Sequence, residues 1–177
     1  MRAAALARLA TTVIVLGLAG CGYTLATTPD PALTPFTVRA AAATTPDAIA
    51  ITAAIEGAQR ELSRAGLLST RGDGAVLTIA VVRVDERSEG IAAGSSGSAT
   101  PIARGIRLTI VGRATAPASP RAAARDSGEV EVAEVFATSG TATIGILARD
   151  EAAQRAGRRL GERLVRRVLG DIDPGEP

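Results

Sequence analysis

The chain has 177 residues, 46% of them hydrophobic and 21% charged, which is enough for one domain with a real core and too apolar for a disordered chain. It has no His, Lys or Trp, so no Ser-His-Asp triad, Cys-His pair, His metal ligand or Schiff-base lysine can be built, and the composition points away from catalysis. The net charge of +2 disappears without Arg2 and Arg8, so overall basicity gives no case for a nucleic-acid partner. With aromatics at 2% (Tyr23, Phe36 and Phe136), the core must come from Ala, Val, Ile and Leu.

Residues 1–20 open with Arg2 and Arg8 and then run apolar through Val13, Ile14, Val15, Leu16 and Leu18. About ten apolar residues are too few to span a bilayer but fit the core of a secretory signal peptide. The run ends in Leu18-Ala19-Gly20-Cys21, which resembles the bacterial lipobox. That resemblance implies cleavage before Cys21, acylation of its thiol and of its new amine, and a membrane anchor made by several chains. Cys21 is the only cysteine, so no disulfide competes for it. Gly22 rather than Asp follows it, which in Gram-negative sorting favours the outer membrane.

Residues 21–35 are rich in Thr and Pro and read as a lipidated tether. Residues 36–42 read as a short strand. A helix follows, with Thr45 as cap, Pro46 in its first turn, Gly66 at its end and a stripe of Ala48, Ile51, Ile55, Ala58, Leu62 and Ala65 turned to the sheet. Gly57 costs this helix about 1 kcal/mol unless something packs close against it. Residues 74–86 form a β-branched strand that is apolar on both sides, as an interior strand is. Residues 87–101 read as a Gly/Ser-rich loop. Residues 102–115 alternate, with Ile106, Leu108 and Ile110 on one side and Arg107, Thr109 and Arg113 on the other. Residues 116–128 read as a turn-rich connection, and 129–140 as a strand whose alternation slips near Ala133, a place for a bulge. Residues 139–148 read as a loop. The last helix starts at Asp150 and Glu151 and ends at Arg166, Arg167 and Gly170, with Ala153, Gly157, Leu160, Leu164 and Val168 on one stripe. Residues 171–177 read as a flexible tail. The order β-α-β-β-β-α predicts an α+β two-layer sandwich over 36–170: one mostly antiparallel four-stranded sheet with two helices on one face.

No motif asks for a cofactor or a metal. Residues 94–100 lack the Lys of a phosphate loop, and Asp171-Ile172-Asp173 lacks further calcium ligands. The Arg71-Gly72-Asp73 tripeptide reads as a turn. Six arginines of the last helix form either an anion-binding face or, the favoured reading, a solvated face held by Glu151–Arg155 and Glu162–Arg166 pairs. Gly157 and Gly161 suggest close packing on the sheet. Arg104, Arg107 and Arg113 are the candidate ligand residues. On a strand they can meet phosphates bidentately, or they pair with Glu129 and Glu131 of the neighbouring strand.

The lipobox followed at once by Gly22-Tyr23-Thr24-Leu25, and the element order over nearly all of the mature chain, resemble the LPS-assembly lipoprotein family (LptE). That family typically carries Cys-Gly-Tyr/Phe-x-Leu at the mature start, which Cys21, Gly22, Tyr23 and Leu25 match. The poverty of aromatics and the stretch after Phe36 depart from it. The resemblance implies a non-enzymatic outer-membrane lipoprotein facing the periplasm. It would plug a large outer-membrane β-barrel (LptD), help the barrel assemble, and help it insert lipopolysaccharide into the outer leaflet. Two rivals remain: an auxiliary lipoprotein of an ABC-type lipid transporter, and a non-catalytic envelope scaffold.

Overall fold

The computed structural model describes residues 34–42, 47–93, 101–118, 123–138 and 142–170, with 90–93 and 101–104 described by their backbone alone. Cys21 and the residues read as signal peptide, as most of the tether and as tail lie outside them.

The elements are β1 (Phe36–Ala40), α1 (Ala48–Arg64), β2 (Ala75–Ala93), β3 (Pro101–Ala116), β4 (Arg125–Thr138) and α2 (Ala142–Leu169). The sheet order is β1-β2-β3-β4, parallel between β1 and β2 and antiparallel elsewhere. This is the expected α+β architecture, with both helices on one sheet face. The starts of β1, β2 and β4 share a basal end with the last turn of α2, where Arg125 donates to the Val168 carbonyl at 3.0 Å. The β2–β3 hairpin, the end of β4 and the starts of both helices form the distal end. There Arg149 ties the α1 cap Asp47 (2.7 Å) to Glu86 of β2 (2.8 Å).

The core lies between sheet and helices. Leu77, Ile79, Leu108, Ile110, Val130, Val132 and Phe136 supply the sheet side, and Leu160, Leu164, Val165 and Val168 the helix side. Gly112 makes room for Leu160, since a Cβ there would lie 2.8 Å from its Cδ2.

Several boundaries differ from the sequence reading. Asp47, not Thr45, caps α1, accepting from the Ala50 amide at 2.9 Å. Its far end is as expected: Gly66 at φ 67° lets Leu67 N–H reach the Leu62 carbonyl (2.8 Å) and its own N–H reach that of Ser63 (3.1 Å), a Schellman closure. The α1 stripe is rotated. Ala50, Ala53, Ala54, Gly57, Ala58 and Leu62 are buried, whereas Ile51 and Ile55 are only half-buried. The reason is that α1 lies chiefly on α2. A Cβ on Gly57 would collide with the Arg158 carbonyl, and one on Gly161 with the Ala54 carbonyl. One on Gly157 would sit 2.6 Å from the Ala50 carbonyl. Gly157 and Gly161 therefore serve close packing, but on α1 rather than on the sheet.

The strands are longer than their sequence signals. β2 runs on to Ala93 through residues read as loop, and β4 begins at Arg125. A register shift at Val81/Arg83 places Val82 on a bulge and exchanges the two faces, so Leu77, Ile79 and Val81 face inward before it and Val84 after it. Ala133 carries no bulge, because β4 pairs without a break from Thr138 to Glu129. The apparent slip is Glu134, a carboxylate on the helix side of the strand. α2 begins two turns earlier than expected, at Ala142.

Candidate functional site

No described helix lies on the sheet face away from α1 and α2. Across its strands the register sets Ala80–Arg113–Glu129, Arg83–Val111–Glu131, Asp85–Thr109–Ala133 and Arg87–Arg107–Val135 in successive rows. Arg107 and Arg113 both project there, as the alternation predicts. Val82 and Val135 are exposed, whereas Val111, which faces the same way between Arg83 and Glu131, is buried.

The two arginines do not converge. Six residues of strand separate them by about 20 Å. Each is engaged inside the chain, and neither partner is the one expected. Arg107 pairs with Glu89 of β2, and its neighbour on β4 is Val135 rather than an acid. Arg113 holds Asp126 with two nitrogens, its Nε at 2.8 Å from Oδ1. Glu129 stands opposite Arg113 in the register but only adds to its electrostatics. The Arg113 hydrogen bond, then the Gly128 amide, hold the Asp126 carboxyl down at about 2, and Asp126 in turn raises Arg113. The side chain of Arg104 lies outside the described residues; its backbone pairs with Ile91 and Thr138.

The arginines of α2 are organised along its flank. Arg167 and Arg163 donate to the carbonyls of Glu129 and Glu131 on β4, each at 3.4 Å. Arg159 and Arg155 pair with the Glu134 carboxylate. Arg155 also meets Glu151 at 3.6 Å, as expected, but Arg166 binds Glu61 of α1 (2.9 Å) and Glu162 binds Arg60. The solvated-face reading holds in a modified form, with most pairs running between elements. The sequence shows the four-residue spacing of Arg155, Arg159, Arg163 and Arg167, but not that β4 runs beside it.

At the distal end Ile144, Ile146 and Leu147 are 52%, 60% and 59% exposed, and Val135 is 52% exposed. Reading 139–148 as a loop hid this apolar patch. Arg71–Asp73 forms the expected turn, with Gly72 at φ 77° and Ser69 Oγ bonded to Asp73 at 2.8 Å. Among the described residues no helix is long and apolar enough to cross a membrane.

No family model and no curated protein matches the sequence. Solved structures are similar to it, two lipoproteins among them. One is a candidate lipoprotein from Caulobacter crescentus CB15, with TM-score 0.45 and 13% identity, covering 76% of this chain and 88% of that one. The other is a minor lipoprotein from Acinetobacter baumannii, with TM-score 0.43 and 10% identity, covering 77% and 92%.

Proposed function

We propose that the chain is an outer-membrane lipoprotein of the LPS-assembly type, anchored through Cys21 on the periplasmic side, non-enzymatic, and bound to a large outer-membrane β-barrel that it plugs and helps to assemble. The observation that carries this is the lipobox Leu18-Ala19-Gly20-Cys21 running directly into Gly22-Tyr23-Thr24-Leu25, ahead of a β-α-β-β-β-α domain. Lipopolysaccharide insertion by the barrel is the process served. Arg107 and Arg113 can meet lipid phosphates only by leaving Glu89 and Asp126, so direct contact there is a competition between anions.

Pull-down of the native protein from detergent-solubilised outer membrane tests the reading. A stoichiometric large β-barrel supports it, and an inner-membrane permease in its place favours the ABC-type rival. Mass spectrometry of the native protein should show an acylated Cys21, and Cys21→Ala should shift the chain out of the membrane fraction. An unmodified Cys21 sinks the anchor.

A further inference from the structure

β4 is an edge strand, and its outer edge is treated differently along its length. The carbonyls of Glu129 and Glu131 point outward, where Arg167 and Arg163 take them. Alternate residues of a strand turn their amide and carbonyl the same way, so Ala133, Val135 and Ala137 continue this outward row. No described side chain occupies their backbone groups. On α2 the four-residue row of Arg167, Arg163, Arg159 and Arg155 continues to Glu151 and Leu147, so the helix flank changes from cationic to apolar where the covering stops. Val135–Thr138 and Ala142–Ala148 contain no charged residue in a chain that is 21% charged. On the opposite side of the sheet β1 is the edge strand, its Phe36 bonded to Leu67 and Ser69, and β2 beyond the end of β1 is guarded by Arg83, Asp85, Glu86, Arg87 and Glu89. Among the described residues the distal half of the β4 edge carries neither the caps taken by Glu129 and Glu131 nor the charges that line β2.

We propose that this stretch, Ala133–Ala137, is a strand-addition site. An extended, uncharged segment of the partner barrel protein pairs with the outward amides and carbonyls of Ala133, Val135 and Ala137 and lays alternate apolar side chains on Val135 and on Leu147 and Ile144 of α2. The proposal rests on the barrel reading above and specifies how that partner is held. Unpaired backbone groups select a strand rather than lipid, since hydrocarbon would leave each one unsatisfied at a cost of several kcal/mol. Glu134 within the stretch is already paired with Arg155 and Arg159, and the uncharged Val135–Thr138 and Ala142–Ala148 beyond it select an uncharged segment, because a charged one would be desolvated there without a free counter-ion. The wall strands of a barrel are already paired to one another, so the segment comes from one of its loops or from a domain outside the wall.

The test is the same outer-membrane pull-down, run with the full chain and with Val135→Pro, Val135→Thr and Leu147→Arg. Proline at 135 removes an amide that β3 does not use, so the fold should survive, which a thermal melt checks. Leu147→Arg attacks the apolar wall without touching the strand. Recovery of the barrel should fall at least tenfold for Val135→Pro and for Leu147→Arg and stay unchanged for Val135→Thr. Equal recovery from folded Val135→Pro overturns the strand-addition site and leaves the barrel reading intact. Absence of the barrel with the wild-type chain overturns both. Light scattering on the purified chain gives the remaining outcome: a dimer that Val135→Pro turns into a monomer assigns the edge to a second copy, against the proposal.

Discussion

The two helices are buried by opposite means. α2 sinks long side chains into the sheet: Leu160, Leu164, Val165 and Val168 meet Leu108, Ile110, Val130 and Val132. α1 lies on α2 backbone to backbone, through Ala50, Ala54 and Ala58 on one side and Gly157 and Gly161 on the other, with Gly57 against Arg158. The first contact is apolar volume removed from water; the second is close approach, possible only where a Cβ is absent. Equal degrees of burial thus rest on different chemistry, and they should fail differently. Leu160→Ala should have the largest effect, about 2–5 kcal/mol lost, since it opens a cavity over Gly112 that rigid strands cannot close. Denaturant unfolding checks it. A loss below about 0.5 kcal/mol would place Leu160 outside the core.

Gly161→Ala tests the other contact. The new methyl meets the Ala54 carbonyl and lies 2.7 Å from the Ala58 amide, and backbone cannot step aside as a side chain does. A loss of about 1–3 kcal/mol is expected, despite the gain in helix propensity. Gly145→Ala is the contrast within the same helix. Its methyl would find Thr138 Cγ2 at an ordinary 3.7 Å, so the change should stabilise by about 0.5–1 kcal/mol. If both substitutions stabilise, the helices are not in backbone contact.

That contrast also marks what the sequence could convey. The α2 stripe was legible because it runs at helical spacing with large residues facing one sheet. The α1 stripe was misplaced by one face because Ile51 and Ile55 outweigh alanines on any hydrophobicity count, and only the partner's glycines make the alanine face the tight one. The β2 extension was lost in Gly and Ser, residues that strands disfavour but that long hairpins tolerate when both neighbours pair. The start of α2 was missed for a related reason: Thr143, Ile144, Gly145 and Ile146 are poor helix formers, and the first acids come later. Of the candidate ligand residues, alternation gave the face of Arg107 and Arg113 correctly. Their partners depended on register, which composition does not carry.

Asp47 separates a local contact from a tertiary one. Its carboxylate caps α1 and also takes Arg149, which reaches on to Glu86. Asp47→Ala should cost about 1 kcal/mol, the usual loss of a cap, or somewhat more if the ion pair adds to it. Asp47→Asn keeps the cap and removes the charge. If Asn behaves like Asp, the clamp at the distal end contributes little and α1 is held by its glycine contact; if Asn behaves like Ala, the charge network is what fixes that end.

The smallest effect is expected on the sheet face away from the helices, where Arg113 and Asp126 are exposed. Asp126 titrates at about 2, below the ordinary 3.8 of an aspartate, because Arg113 and the Gly128 amide favour its ionised form. A carboxylate depressed in the folded state stabilises above its unfolded value, and that contribution drains away as pH falls through the folded one. The window is therefore pH 4 down to 2, and in it stability should fall by a small amount, because water and salt screen an exposed pair. Asp126→Asn should flatten this part of the curve while its side-chain oxygen still accepts from the Gly128 amide. Arg113→Ser should flatten it as well, by removing the cation instead. Denaturation midpoints measured across that range for the three chains decide it. If both variants keep the wild-type slope, the Arg113–Asp126 pair does not form in solution, and Arg113 is then free for an external anion.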